Sequence, residues 1–307
     1  MNSLKDQFTQ HLRILQSEIC QGLEQEDGKA EFISDVWERQ GGGGGDSRVI
    51  SRGDVFEKGG VNISVVHGDL SPQAAQQLNV HGKSFFACGL SLVIHPFNPF
   101  VPTVHANWRY FELYDENGLP VDQWFGGGTD LTPYYLFEED ATYFHSVQKK
   151  CCDGFDTALY RKFKEQCDNY FSNHHRGEER RGIGGIFFDH CREDAQHDLN
   201  FWKRFTEANG KVFLDGYLPI VTRRKTTSFA DKHKYWQEIR RGRYVEFNLI
   251  HDRGTLFGIR TNGRTESILM SLPPTVRFDY NDIPATGSEE EKLMNVLMHP
   301  KQWLNDK

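Results

Sequence analysis

The chain has no C-x-x-C pair, no internal repeat, no surplus of positive charge, and no apolar run near the length of a membrane span. Each absence excludes something. The six cysteines, at 20, 88, 151, 152, 167 and 191, follow no regular spacing, which argues against a disulfide framework and for reduced thiols in a cytoplasmic protein. A formal net charge of −7 argues against nucleic acid as the main partner, because phosphate binding draws on a basic surface. A bilayer span needs about 18 consecutive apolar residues, and the start, MNSLKDQFTQHLRILQ, lacks the apolar stretch and cleavage site of a secretory leader. The expectation is a cytoplasmic protein with no stable membrane association. Gly126 to Gly128 and Gly182 to Gly185 lack the context of a phosphate-binding glycine loop, so a nucleotide cofactor has little support.

What is present is enough apolar residue, 37%, to bury a sizeable core. Aromatic residues make up 13%, which suits flat packed surfaces and a large apolar ligand. Phe8, Leu12, Leu15, Ile19 and Leu23 recur at helical spacing, predicting an amphipathic helix over 3–26 that ends near Gly28. Residues 84–95 and 103–114 are rich in aromatic and β-branched residues on either side of the turn PFNPFVP; they read as adjacent antiparallel strands. Helices are expected over 138–152, 157–172, 196–210, 231–240 and after Ser288, and strands over 183–188, 243–251 and 255–260. The run Gly41 to Gly45 reads as a mobile loop. Strands fall in groups rather than alternating with helices, so the predicted class is α+β, a large antiparallel sheet flanked by helices on both faces, forming one catalytic domain over 1–307.

Strand alternation then sorts side chains by face. One face of 103–113 carries Thr103, His105, Asn107, Arg109 and Phe111, while Trp108 and Tyr110 point the other way; on 84–95, Ser91 and His95 share a face. These groups form either the polar floor of an aromatic-walled cavity or an ordinary solvated sheet face. His105, Asn107 and Arg109 in series suit a ligand that bears carboxylates. His95, His105, His145 and His175 are candidates for a shared metal, but none lies at a local ligand spacing, and satisfied histidines are the alternative. In WFGGGTDLTPYY, three glycines precede Asp130 by two residues. They admit a planar ligand to the backbone, or they serve close strand packing, with Asp130 a turn residue.

The segments HPFNPFVPTVHANWRYFE, WFGGGTDLTPYY, HHRGEERRGIGGIFFD, RRGRYVEFNL and GRTESILMSLPP closely resemble those of the oxygen-dependent coproporphyrinogen III oxidases, over essentially the whole chain. The resemblance implies a homodimer with its interface around 240–275. It implies oxidative decarboxylation of the ring A and B propionates of coproporphyrinogen III to vinyl groups, giving protoporphyrinogen IX, with dioxygen as co-substrate. The reduced, electron-rich ring system needs no flavin, heme or nicotinamide for that reaction. Residues matching Ser91, Asn107, Trp108, Arg109, Gly258, Ile259 and Arg260 contact the substrate in that family. His105, Asp130 and Arg109 are the implied catalytic groups, with Asp130 facing the pyrrole nitrogens and the glycines letting the bent tetrapyrrole lie close. His95, His105, His145 and His175 match residues described in bacterial members as ligands of a divalent metal, manganese being the expected ion. Two departures stand out. Arg176 to Gly182 is one residue longer than the usual spacing, and His190 stands where an acidic residue is more common.

Overall fold

The first helix begins where its cap predicts. In the computed structural model, which describes residues 3–70, 82–260 and 263–304, α1 spans Leu4–Asp27, with Ser3 and Asp6 forming a capping box and Gly28 ending the helix in the left-handed conformation. Phe8, Leu12, Leu15, Ile19 and Leu23 are all buried, so the 3.6-residue repeat does face the core.

Among the described residues, seven strands form one antiparallel sheet in the order β1 (Ile33–Glu38), β2 (Gly43–Ser51), β3 (Phe56–Asp69), β4 (Ser84–Pro96), β5 (Thr103–Tyr114), β6 (Pro120–Thr132) and β9 (Gly184–Cys191). A two-stranded ribbon, β7 (Ser172–Asn173) and β8 (Glu179–Arg180), precedes the last strand. The expected α+β class holds. Gly43 to Gly45 are not a loop: they belong to β2 and pair with Trp37 and Glu38 on one side and with β3 on the other. A Cβ at Gly45 would stand 2.2 Å from the Ile63 carbonyl oxygen, so the glycines there serve close strand approach.

One face of the sheet is apolar. Leu90, Leu92, Val104, Ala106, Trp108 and Tyr110 are fully buried against α1, α4 (Leu199–Lys211) and α5 (Phe213–Arg224), with α2 (Glu138–Asp153) and α3 (Leu159–Tyr170) completing that side along β9. The other face lies beneath α6 (Asp231–Ile250), α7 (Arg253–Arg260) and α8 (Thr265–Leu269), and a last helix, α9, spans Glu289–Met298.

Two expected strands are helices. Residues 243–251 continue α6, and 255–260 lie in α7. Tyr244, Val245, Phe247 and Leu249 look like an alternating strand. The helical face, though, runs through Gln237, Arg240, Arg241, Tyr244, Phe247 and Asn248, all buried. Four of these six are polar or charged, which hides the period from a count of apolar residues. Arg241 donates to Glu57 and to the Pro96 carbonyl, and Arg240 pairs with Glu179, so partners elsewhere in the chain make the burial tolerable.

Candidate active site

Register places the polar side chains in rows across the sheet. Ser47, Asn62, Ser91 and Asn107 lie on successive strands, each opposite the next, and a second row runs Gly60, Val93, His105, Asp130. The middle of these rows, Asn62, Ser91 and Asn107 with Val93 and His105, floors a cavity of about 370 Å³. Asn62 and Ser64 of β3, Ser91 of β4, and His105, Asn107 and Arg109 of β5 form its floor. Tyr170, Phe171 and Phe187 form an aromatic wall. Asn248, Asp252, Thr255, Ser267 and Met270, from α6 to the turn after α8, close it from above. The cavity reading of the polar face therefore stands over the solvated one.

His105 is held from behind. Its Nδ1 lies 2.7 Å from Asp130 Oδ1, directly across the β5–β6 pairing. With Nδ1–H donating to that carboxylate, Nε2 is the nitrogen left for the cavity. Asp130 itself is not on the cavity surface, which corrects the expectation that it faces the ligand. It is 1% exposed, and its two oxygens accept from Arg181 at 2.8 and 2.7 Å. Arg181 is equally buried, with its guanidinium 4.0 Å from the Phe171 ring centre and 4.8 Å from that of Phe247. Burial pushes the Asp130 carboxyl up, but Arg181 and His105 outweigh it and hold it below the usual carboxylate range. The result is a buried line from Arg181 through Asp130 to the imidazole.

Arg181 was the residue that pattern reading missed. It follows Arg180 in a segment dense in arginine, and nothing local distinguishes them. In the fold Arg176 pairs with Glu246 and Arg180 donates to Ser172, while Arg181 alone of the three turns inward to Asp130. Asn62 and Ser64 were legible in principle from the alternation Val61, Asn62, Ile63, Ser64, Val65.

Three further expectations change. Trp108 reaches the cavity with no part of its side chain: it is fully buried on the helix-packed face and donates to Asn209 at 2.8 Å, as strand alternation demands. Gly258 and Ile259 lie on α7, where Gly254 and Thr255 are the residues that line the cavity and Ile259 is 48% exposed; the Arg260 side chain lies outside the described residues. The four histidines do not share a site. His95 is fully buried between Thr103 Oγ1 and the Ser271 carbonyl, and burial with the nearby Arg241 keeps it neutral. His145 sits in α2 between Tyr160 and the Ile183 carbonyl, with burial lowering it to about 3. His175 meets His251 and Glu246. Among the described residues no three His, Cys, Asp or Glu side chains stand together as a metal would need, and the ring nitrogens of His95 and His145 already have protein partners. This donor set does not fit a shared divalent ion.

Of the two roles open to the glycine run, the geometry supports close strand packing. The run lies within β6, where a Cβ at Gly128 would come 2.2 Å from the Ile186 carbonyl and one at Gly127 2.7 Å from that of Asn107. The glycines therefore let β5, β6 and β9 pack closely around the Asp130 pairing.

A family model described as coproporphyrinogen III oxidase matches residues 7–303. The chain belongs to the coproporphyrinogen III oxidase family. Among curated relatives, the chloroplastic oxygen-dependent coproporphyrinogen-III oxidase of Nicotiana tabacum is 49% identical over 99% of this chain and 78% of its own length. That of Glycine max is 51% identical over 98% of this chain and 80% of its own. Coproporphyrinogen-III oxidase 1 of Arabidopsis thaliana, also chloroplastic, is 48% identical over 99% and 80%. In this member of the family the cavity sits where the sheet's polar rows meet α6 to α8. No helix among the described residues is long and apolar enough to cross a membrane.

Proposed function

We propose that this chain catalyses the oxygen-dependent oxidative decarboxylation of two propionates of coproporphyrinogen III to vinyl groups, as one catalytic domain over 1–307. The observation that supports it best is the cavity floor, where His105, Asn107 and Arg109 face a space of about 370 Å³ walled by aromatics in a chain of this family. Each step removes carbon dioxide and a hydride equivalent from one propionate. Dioxygen takes the two electrons, and with the hydrogen removed and one proton it leaves as hydrogen peroxide. The balance per vinyl group therefore consumes a single proton.

His105 is suited to supply that proton. Asp130 carries the negative charge that stabilises an imidazolium, and the Nδ1 contact of 2.7 Å directs Nε2 toward the reacting carbon chain. Arg109 holds a propionate, and the hydroxyl and amide groups of Ser91, Asn107 and Asn62 orient the remainder. Tyr170, Phe171 and Phe187 exclude water and pack the pyrroles. Asp130 acts on the substrate through His105. Manganese or another divalent ion enters no step, because the histidines that would bind it do not converge.

Purified protein should turn over coproporphyrinogen III in air, fail to do so anaerobically, and keep its rate after exhaustive chelation. Activity lost with metal and restored by one ion would return the histidines to the chemistry. Binding with no product under any condition would instead make the protein a porphyrinogen carrier.

We also assign the chain to the cytoplasm and to a homodimer. The support for a dimer is the set of exposed apolar side chains in and just beyond 240–275, with Ile250 52% and Phe278 58% exposed. Sedimentation at micromolar concentration should give twice the 35.5 kDa chain mass; a monomer there removes the dimer.

A further inference from the structure

Arg109 is already occupied. Its NH2 lies 2.9 Å from Asp189 Oδ1, so the guanidinium that floors the cavity meets a carboxylate of the protein's own. That contact is built by three local features. Phe188 pairs with Gly127 and Cys191 with Phe125, so Asp189 and His190 together oppose the single residue Gly126, a bulge of the kind that re-aims side chains beside active sites. His190 takes φ of 51°, a left-handed conformation uncommon outside glycine, and stacks on Trp124 at 5.0 Å. A Cβ at Gly126 would stand 2.9 Å from both Arg109 Nε and Asp189 Oδ1, so only glycine leaves the passage open.

Asp189 has partners besides Arg109. Oδ1 also accepts from the His190 backbone N–H at 2.9 Å, and Oδ2 lies 3.4 Å from Arg253 NH2 and 3.4 Å from His190 Nδ1. Arg253 sits at the start of α7 above the cavity and is mostly solvent-exposed, and the neighbouring Asp252 accepts from Tyr170 at 2.9 Å. The rim therefore carries two guanidiniums against two carboxylates. An incoming carboxylate and Asp189 cannot both lie against the same edge of Arg109, yet Asp189 loses only one of its contacts by yielding.

Building on the substrate reading above, we propose that Asp189 is an internal stand-in for the substrate carboxylate. It occupies Arg109 in the empty site and yields it on binding, kept in place by Arg253 and the His190 N–H. Selectivity follows from the competition. A ligand with two or more carboxylates, held also by the rest of the floor, displaces Asp189, whereas a simple monocarboxylate does not.

The test uses glutarate, a small dicarboxylate, with binding measured by calorimetry on the full chain. D189N should bind it about tenfold more tightly than the wild type, and R109A in the D189N background should remove the gain. A merely structural Asp189 would give equal or weaker binding in a folded D189N, and that result overturns the proposal. Should D189N fail to fold, the wild-type protein decides: the Arg109 Nε resonance, assigned by its loss in R109K, should shift on adding glutarate, and an unmoved resonance at high glutarate overturns the exchange. Neither readout depends on turnover. Wild-type turnover without these effects would sink the exchange alone, and these effects without turnover would sink the reaction alone.

Discussion

His105→Ala is expected to lower kcat by about 10²- to 10⁴-fold, the usual weight of a positioned proton donor, with KM for coproporphyrinogen III changed by less than about tenfold. The split follows from geometry. The floor binds through Arg109, Asn107 and Ser91 as well, but only His105 combines a cavity position with a carboxylate 2.7 Å behind it. Steady-state kinetics in air, scored by product formation, measure it. A variant with normal kcat would take the proton transfer away from His105, and one with a raised KM alone would make the imidazole a binding group.

Asp130→Asn is expected to cost about 3–5 kcal/mol of stability, because it leaves Arg181 buried without its counter-charge. For a chain of this size that corresponds to a fall in Tm of roughly 5–8 °C. Arg181 is 2% exposed and stands among Phe171, Tyr244 and Phe247, so water cannot replace the lost partner. The pH dependence has a definite sign. The folded carboxyl is held below its usual value, so its contribution is fully present above the unfolded pKa of about 3.9 and is lost as pH falls through the folded value. The gap between wild type and Asp130→Asn should therefore be constant near neutrality and narrow in acid. Adding Arg181→Met to Asp130→Asn should recover part of the loss, since a neutral pair has no uncompensated charge. Thermal melts of the wild type and the two variants between acid and neutral pH check this; an unchanged Tm in Asp130→Asn would mean the pair contributes little.

These two predictions concern one line of residues, and they show where sequence reading stopped. His105, Asn107 and Arg109 were legible because β-strand alternation is a local property: a period of two puts them on one face whatever the rest of the chain does. The same rule places Trp108 on the opposite face, against the contact role that family resemblance implied. Asp130 could be singled out by its place after three glycines, but not its direction. That depends on pairing with His105 from one side and on Arg181, 51 residues later, from below.

The sequence by itself determined the α+β class, the capped first helix, the polar face of β4 and β5, and, through long matching segments, the family. These rest on short-range periods and on ordered blocks that survive without knowing the fold. Tertiary structure alone decided that 243–251 is helix, since the buried face of α6 is largely polar and its Arg240 and Arg241 find acids or a carbonyl on distant strands. It alone decided that the four histidines stand apart, that Asp130 lies buried between His105 and Arg181, and that Asp189 meets Arg109. In each case the deciding partner lies far away in the chain, and only closure of the sheet and the packing of α6 to α8 bring the two within hydrogen-bond distance.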